Sequence, residues 1–290
     1  MDMLHQVSIS SEPKGELMTY KTILVHVDQS RHAAARIRLA AQLAASQEAH
    51  LVGTSMTGIS RFIYPDGVVF IGSVIDSLRE SAQTELQKFE ESARREGVTF
   101  ERRLSEDDPA GALVLQARYA DLVVLSQTDP DERDSGDVYD LPEYVMLNTA
   151  RPVLTIPYAG VFDKVGTHIL VAWDGSMEAT RAVTNALPFL RRARNVDVVL
   201  FNPDALYDVH GQQPGADIAL YLARHGVNVN VLQQPTELDI GNALLSLAAD
   251  TGADLLVMGG YGHTRFREVL LGGVTKTILN CMTLPVLFSH

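Results

Sequence analysis

The chain contains one cysteine, Cys281, and one tryptophan in 290 residues. A lone cysteine excludes an intrachain disulfide and any multi-cysteine metal site, and its position in an apolar, helix-like stretch marks it as a core residue. Long hydrophobic runs are also missing. The longest stretch without a charge, Thr277 to His290, is broken by Asn280 and Pro285 and is too short to span a bilayer. Residues 1–17 carry Ser10, Ser11, Pro13, Lys14 and Gly15 and lack the apolar segment of a secretory leader, so they read as an N-terminal tail with Met18 as a candidate start. A soluble, cytoplasmic protein is the expectation. Basic charge is scarce, with 24 Lys and Arg against 36 Asp and Glu and a formal net charge of −12. Affinity for nucleic acid or for an anionic membrane surface needs a basic face, and neither partner is expected. The nine histidines are scattered without metal-ligand spacing, which leaves no candidate metal site.

What is present is enough apolar residue, 46%, to build sizeable cores, in a chain too long for a single ordinary domain. The text also repeats. Ile23-Leu24-Val25-His26-Val27-Asp28-Gln29-Ser30 returns 146 positions later as Ile169-Leu170-Val171-Ala172-Trp173-Asp174-Gly175-Ser176. Ala120-Asp121-Leu122-Val123-Val124-Leu125-Ser126 returns 133 positions later as Ala253-Asp254-Leu255-Leu256-Val257-Met258-Gly259, and Pro152-Val153-Leu154 returns as Pro285-Val286-Leu287 at the same offset. Ordered self-similarity at a domain-sized spacing indicates duplication. The runs are apolar on both faces, as in parallel strands covered by helices on each side.

Helical patterns fill the intervals: Arg31 to Ser46, Val74 to Glu96 and Ala110 to Tyr119 in the first copy, and Ser176 to Ala193, Ala216 to His225, Gly241 to Thr251 and Thr275 to Cys281 in the second. Each copy then reads as strand and helix in alternation, five strands in all, which predicts an α/β chain of two tandem doubly wound, Rossmann-like domains with parallel sheets. The boundaries expected are residues 18–160 and 164–290, joined near Tyr158 to Gly166. Ligands of such sheets sit at the carboxyl ends of the strands.

The chemistry concentrates in Gly259-Gly260-Tyr261-Gly262, then nine residues, then Gly272-Gly273-Val274-Thr275. Glycines after a buried strand let the backbone approach a ligand closely. A second glycine pair opening the next helix places free N–H groups and the helix dipole where they bind phosphate. Asp174, at the end of a strand on the same edge, is placed to accept hydrogen bonds from a ribose, and Asp-Gly-Ser is equally a helix-capping sequence. His263, Arg265 and Arg267 lie in the intervening loop, where an arginine can neutralise phosphate charge but a solvated loop is the simpler reading. Trp173 reads as a core residue.

These residues resemble the universal stress protein (UspA-like) family over both copies, from about Tyr20 to His290. Its nucleotide-binding members carry Gly-x2-Gly-x9-Gly followed by Ser or Thr after the fourth strand, and Gly259, Gly262 and Gly272 keep that spacing. Gly273 stands where the hydroxyl residue is usual, and Thr275 matches a further hydroxyl position. The resemblance implies a fold like that of adenine nucleotide alpha hydrolases. It also implies ATP, ADP or AMP bound in the second copy with or without Mg²⁺, with Asp174 on the sugar and Met258 and Val274 lining the site.

In the first copy Ser126, Asp129, Tyr139 and Asp140 fall opposite Gly259, Gly262, Gly272 and Gly273, and their charge and bulk oppose an anion. The resemblance further implies that the fifth strands, Pro152 to Pro157 and Pro285 to Phe288, meet as an intrachain pseudo-dimer, and it allows a homodimer of the whole chain. A stress-response protein acting through conformation or partners is the resulting expectation. Its rivals are an interaction scaffold without nucleotide and a slow ATPase, the last disfavoured by the absence of a Walker lysine motif or an evident general base.

Overall fold

The computed structural model describes residues 19–59, 72–132, 140–203, 213–262 and 273–290. The first copy runs β1 (Thr22–His26), α1 (Ala33–Gln47), β2 (His50–Met56), α2 (Gly72–Arg95), β3 (Phe100–Ser105), α3 (Pro109–Ala117), β4 (Leu122–Ser126), α4 (Leu141–Asn148) and β5 (Val153–Ile156). The second runs β6 (His168–Ala172), α5 (Met177–Leu190), β7 (Asn195–Phe201), α6 (Ala216–Arg224), β8 (Val229–Gln234), α7 (Ile240–Thr251), β9 (Leu255–Gly259), α8 (Gly273–Cys281) and β10 (Val286–Ser289). The alternation matches the sequence reading. No helix among the described residues is long and apolar enough to cross a membrane.

The strands form one ten-stranded sheet in the order β3-β2-β1-β4-β5-β10-β9-β6-β7-β8. Each half is parallel, and the halves join through an antiparallel pair in which Val153 faces Phe288, Leu154 faces Leu287 and Thr155 faces Val286. The palindromic order about an antiparallel centre gives a pseudo-twofold axis normal to the sheet. Each fifth strand thus satisfies an edge that would otherwise stay open. Helices α1, α2, α5 and α6 pack one face of the sheet, and α3, α4, α7 and α8 pack the other. Side chains at the seam alternate between the layers: Leu154 and Leu287 enter the first, and Val153, Val286 and Phe288 the second.

Duplication extends to the polar contacts. The Asp121 carboxylate accepts the N–H groups of Lys21 and Thr22 at 2.8 and 3.0 Å. Asp254 likewise accepts those of Gly166, Thr167 and His168 at 2.9–3.0 Å. In each copy the aspartate before the fourth strand therefore ties down the start of the first.

Two local readings need correction. Cys281 is exposed, not in the core, because it is the last residue of α8 and follows the exposed Asn280 rather than the buried Ile278–Leu279 pair. Helices α1 and α5 begin one or two residues later than their patterns, at Ala33 and Met177, because the carboxylates of Asp28 and Asp174 accept the N–H groups of Ser30 and Ser176 and hold a turn ahead of each helix. The cap of α5 is Ser176, whose Oγ accepts the Ala179 N–H at 3.1 Å, and not Asp174.

Candidate functional site

At the carboxyl edge of the second copy, β6 and β9 are neighbours. Past β6 the chain passes half-buried Trp173, exposed Asp174 and Gly175 before entering α5. One Asp174 carboxylate oxygen accepts Ser176 N–H at 2.9 Å. Beyond β9 the loop is held from several sides. The Gly260 N–H donates to the Ser289 carbonyl at 2.8 Å, and the Gly260 carbonyl accepts from His290 Nδ1 at 2.9 Å. Tyr261 adopts a left-handed backbone, φ 51°, unusual for a bulky residue. Its N–H donates to Thr275 Oγ1 at 3.1 Å, and its hydroxyl donates to Glu143 of α4 in the other copy. Burial, then the Glu143 carboxylate, pushes the Tyr261 hydroxyl well above its ordinary pKa and keeps it a donor.

The loop's glycines fall into two kinds. A Cβ on Gly259 would lie 2.6 Å from the Ala179 backbone nitrogen, and one on Gly260 would lie 2.5 Å from Met146 Sδ, so internal packing accounts for both. Gly262 and Gly273 are different. Neither is among the described glycines with a positive φ; among the described residues, a Cβ on Gly262 would meet nothing closer than Glu178 Oε2 at 3.5 Å, and one on Gly273 would meet nothing within 4 Å. The contacts made by the described residues do not call for glycine at these two positions. Gly273 is the exposed first residue of α8, Val274 is half-buried, Thr275 is buried with its hydroxyl on the Tyr261 N–H, and Met258 is buried in the core. Gly272, His263, Arg265 and Arg267 lie outside the described residues.

The corresponding edge of the first copy is filled from within. Arg36, 1% exposed, donates through Nε to the His26 carbonyl at 2.9 Å, through one terminal nitrogen to Ser126 Oγ at 2.7 Å, and through the other to Asp28 at 2.8 Å. His26 Nδ1 lies 3.3 Å from the same Asp28 carboxylate. Although burial opposes ionisation, the Arg36 guanidinium and His26 hold the Asp28 carboxyl well below the usual carboxylate range. Asp129, opposite Gly262, is also consumed: it pairs with His32 Nε2 at 2.7 Å and with Arg31, and these hydrogen bonds hold it down to about 2. Asp140, opposite Gly273, caps α4 by accepting the Glu143 N–H at 3.2 Å. Tyr139 lies outside the described residues. His32, Asp129 and Glu132 bring ligand-type atoms together, but Arg31 sits on the same carboxylates, so the cluster is an ion-pair network.

Where the first copy has His26, Arg36 and Ser126, the same offsets put Ala172, Ala182 and Gly259 in the second. With these three smaller residues the second copy lacks the Arg36 hub that ties the first copy's edge together. The reading of candidate site residues missed Arg36 and His26, although aligning α1 with α5 sets Arg36 against the buried Ala182 and would have exposed the difference. His26 also makes the first copy acid-sensitive. Burial, moderated by Asp28, lowers its imidazole from 6.5 to about 4. Between those values the unfolded chain binds a proton that the folded chain refuses, so stability falls as pH drops through the window. Urea unfolding should show about 3 kcal/mol of this loss in the wild type and a flatter profile in His26→Gln; parallel profiles would contradict the assignment.

Fold and edge together define a duplicated, Rossmann-like α/β protein in which only the first copy's carboxyl edge carries the buried Arg36 network. The model of the universal stress protein family matches residues 19–157 and 167–290, and the chain belongs to that family as a tandem form. Universal stress protein MJ0577 of Methanocaldococcus jannaschii is 39% identical over 44 residues, which span 15% of this chain and 27% of that protein. A universal stress protein from Archaeoglobus fulgidus matches in structure with TM-score 0.70 at 15% identity, over 92% of this chain and 95% of that one. A putative universal stress protein from Pseudomonas aeruginosa gives TM-score 0.59 at 14% identity over 93% of each chain. At these identities the structural likeness is one of fold.

Proposed function

We propose that the second domain, residues 164–290, binds ATP or a related adenine nucleotide at the carboxyl edge of its sheet, and that the protein acts in stress response through conformation or partner binding. The supporting observation is that, among the described residues, nothing crowds a Cβ at Gly262 or Gly273, so the contacts described do not call for glycine at either position, whereas close approach of a ligand does. In this reading the phosphates meet the backbone N–H groups of Gly262, Gly272 and Gly273 at the start of α8, helped by its dipole. Gly259 lets the loop leave β9 against α5, Thr275 fixes the loop through Tyr261, and Val274 and Met258 back the site. Asp174, exposed and with one oxygen committed to Ser176, offers the other to the sugar hydroxyls.

The filled edge of the first domain limits the chain to one nucleotide. Mass spectrometry of ligand released from purified protein, followed by calorimetric titration with Mg-ATP, tests the proposal. About one adenine nucleotide per chain is expected, with affinity reduced at least about a hundredfold in Gly262→Asp and in Gly273→Asp by the added negative charge. The second substitution meets no described residue within 4 Å, and thermal melting of each variant separates lost binding from unfolding. Absence of nucleotide and of binding in folded wild type would leave the scaffold reading, which the missing hydroxyl at Gly273 and the engaged hydroxyl of Thr275 favour.

A further inference from the structure

The two halves do not meet symmetrically at the glycine loop. At an offset of 133, Gly260 corresponds to Gln127, Tyr261 to Thr128, Leu279 to Met146, Thr275 to Pro142 and Lys276 to Glu143. One pair of contacts obeys the pseudo-twofold axis. Gln127 donates to the Leu279 carbonyl of α8 at 2.8 Å, and Gly260 packs on Met146 of α4, with Sδ 2.5 Å from where a Cβ would stand. The next pair breaks it: the Tyr261 hydroxyl donates to the Glu143 carboxylate in the first turn of α4, whereas among the described residues no hydrogen bond joins Thr128 to Lys276. The backbone divides the same way. Tyr261 has φ 51°, and Thr128 is not among the described residues with a positive φ. A left-handed backbone is disfavoured for a bulky side chain and persists only where the surroundings fix it. Here the Tyr261 N–H is held by Thr275 Oγ1 at 3.1 Å, a hydroxyl that the first copy replaces with Pro142, and the far end of the ring is held by Glu143 from across the seam.

We propose that Glu143 and Tyr261 are a positioning pair, through which α4 of the first copy holds the second copy's glycine loop in the turn that presents the Gly262 N–H to a ligand. This rests on the nucleotide reading of that loop. Because peptide units are planar, φ at Tyr261 is one of the two rotations that aim the unit carrying the Gly262 N–H relative to the unit before it. Release of the ring lets Tyr261 return to a negative φ and turns that N–H away. An ionised acceptor makes the stronger kind of hydrogen bond, which suits Glu143 to holding a disfavoured turn. With the turn set in advance, binding does not have to supply its ordering. The first copy, whose own edge is occupied by Arg36, thereby lends a side chain to the site of the second.

Calorimetric titration with Mg-ATP of wild type, Glu143→Ala, Glu143→Gln, Tyr261→Phe and the double variant of Glu143→Ala with Tyr261→Phe tests the pair, with thermal melting to establish that each is folded. Glu143→Ala and Tyr261→Phe should each lose about tenfold in affinity, and the double variant no more than either alone. Glu143→Gln, whose amide oxygen still accepts a hydrogen bond, should stay within about threefold of wild type. In a Tyr261→Gly background, where a left-handed turn needs no support, adding Glu143→Ala should change affinity by less than about twofold. Amide hydrogen exchange without nucleotide gives a second readout: the N–H groups of residues 261 and 262 should exchange faster in Glu143→Ala than in wild type. Full affinity in Glu143→Ala, equal losses in Glu143→Ala and Glu143→Gln, or exchange at 261 and 262 that Glu143→Ala leaves unchanged each overturns the pair. Folded wild type that binds no nucleotide overturns the nucleotide reading, and the pair's part in it with that reading; the exchange measurement, which uses no ligand, tells this failure from the others.

Discussion

Replacing Arg36 by methionine is expected to lower the unfolding free energy by about 3–5 kcal/mol, because breaking a buried, hydrogen-bonded charge pair leaves its partners without compensation. The guanidinium is the hub of the first domain's carboxyl edge. Methionine fills much of its volume but abandons the His26 carbonyl, Ser126 Oγ and the Asp28 carboxylate together. Asp28 then loses the main influence holding its carboxyl down. The stability that this depression supplies is present above the unfolded aspartate pKa and disappears as pH falls, so the variant should also show a shallower acid slope. Adding Asp28→Asn to Arg36→Met should recover part of the loss, and the double-mutant cycle in urea measures the coupling. Additive single effects would mean that Arg36 acts by packing alone.

Leu287→Asp should do still more damage, about 4 kcal/mol or more, by placing an unpaired carboxylate at the centre of the seam. Leu287 is fully buried, registers with fully buried Leu154 and lies in the same apolar layer as residues of both halves. Wild type should unfold in one transition, because the seam is continuous with both cores. The variant should unfold in two, or its halves should come apart, as followed by calorimetry and sedimentation. A single transition with an unchanged midpoint would show that the antiparallel pair contributes little to stability.

The element order was legible because strands of a parallel sheet covered on both faces must be apolar runs, and the duplication presented each run twice. Strand β3 was harder to see: Phe100-Glu101-Arg102-Arg103 carries three charges in succession, which that strand tolerates because it lies at the sheet edge, where much of it meets water. Joining of the halves through β5 and β10 came from the family resemblance, since nothing in Val-Leu-Thr-Ile or Val-Leu-Phe-Ser names its partner. At the candidate site the glycines could be read as text. Their division into two set by packing and two that no described residue crowds needed the positions of Ala179, Met146 and Glu178. Arg36 escaped notice because charged residues on amphipathic helices are ordinarily solvated, and burial here follows from tertiary packing. Cys281 failed in the opposite direction, an apolar neighbourhood in sequence having concealed an exposed helix end.

The antiparallel seam sets an order of events during translation. Leu154 leaves the ribosome 133 residues before Leu287, its partner across the seam. At synthesis rates of about 5–20 residues per second, the completed first half spends roughly 7–27 s with β5 unpaired. Throughout that interval it offers an apolar strand edge that a neighbouring nascent copy can match. Pro152 and Pro157 bracket this strand, and Arg151 precedes it, residues of the kind that discourage intermolecular pairing. Fusion therefore supplies each first half with a partner tethered to it, at the expense of a period in which the growing chain must remain single.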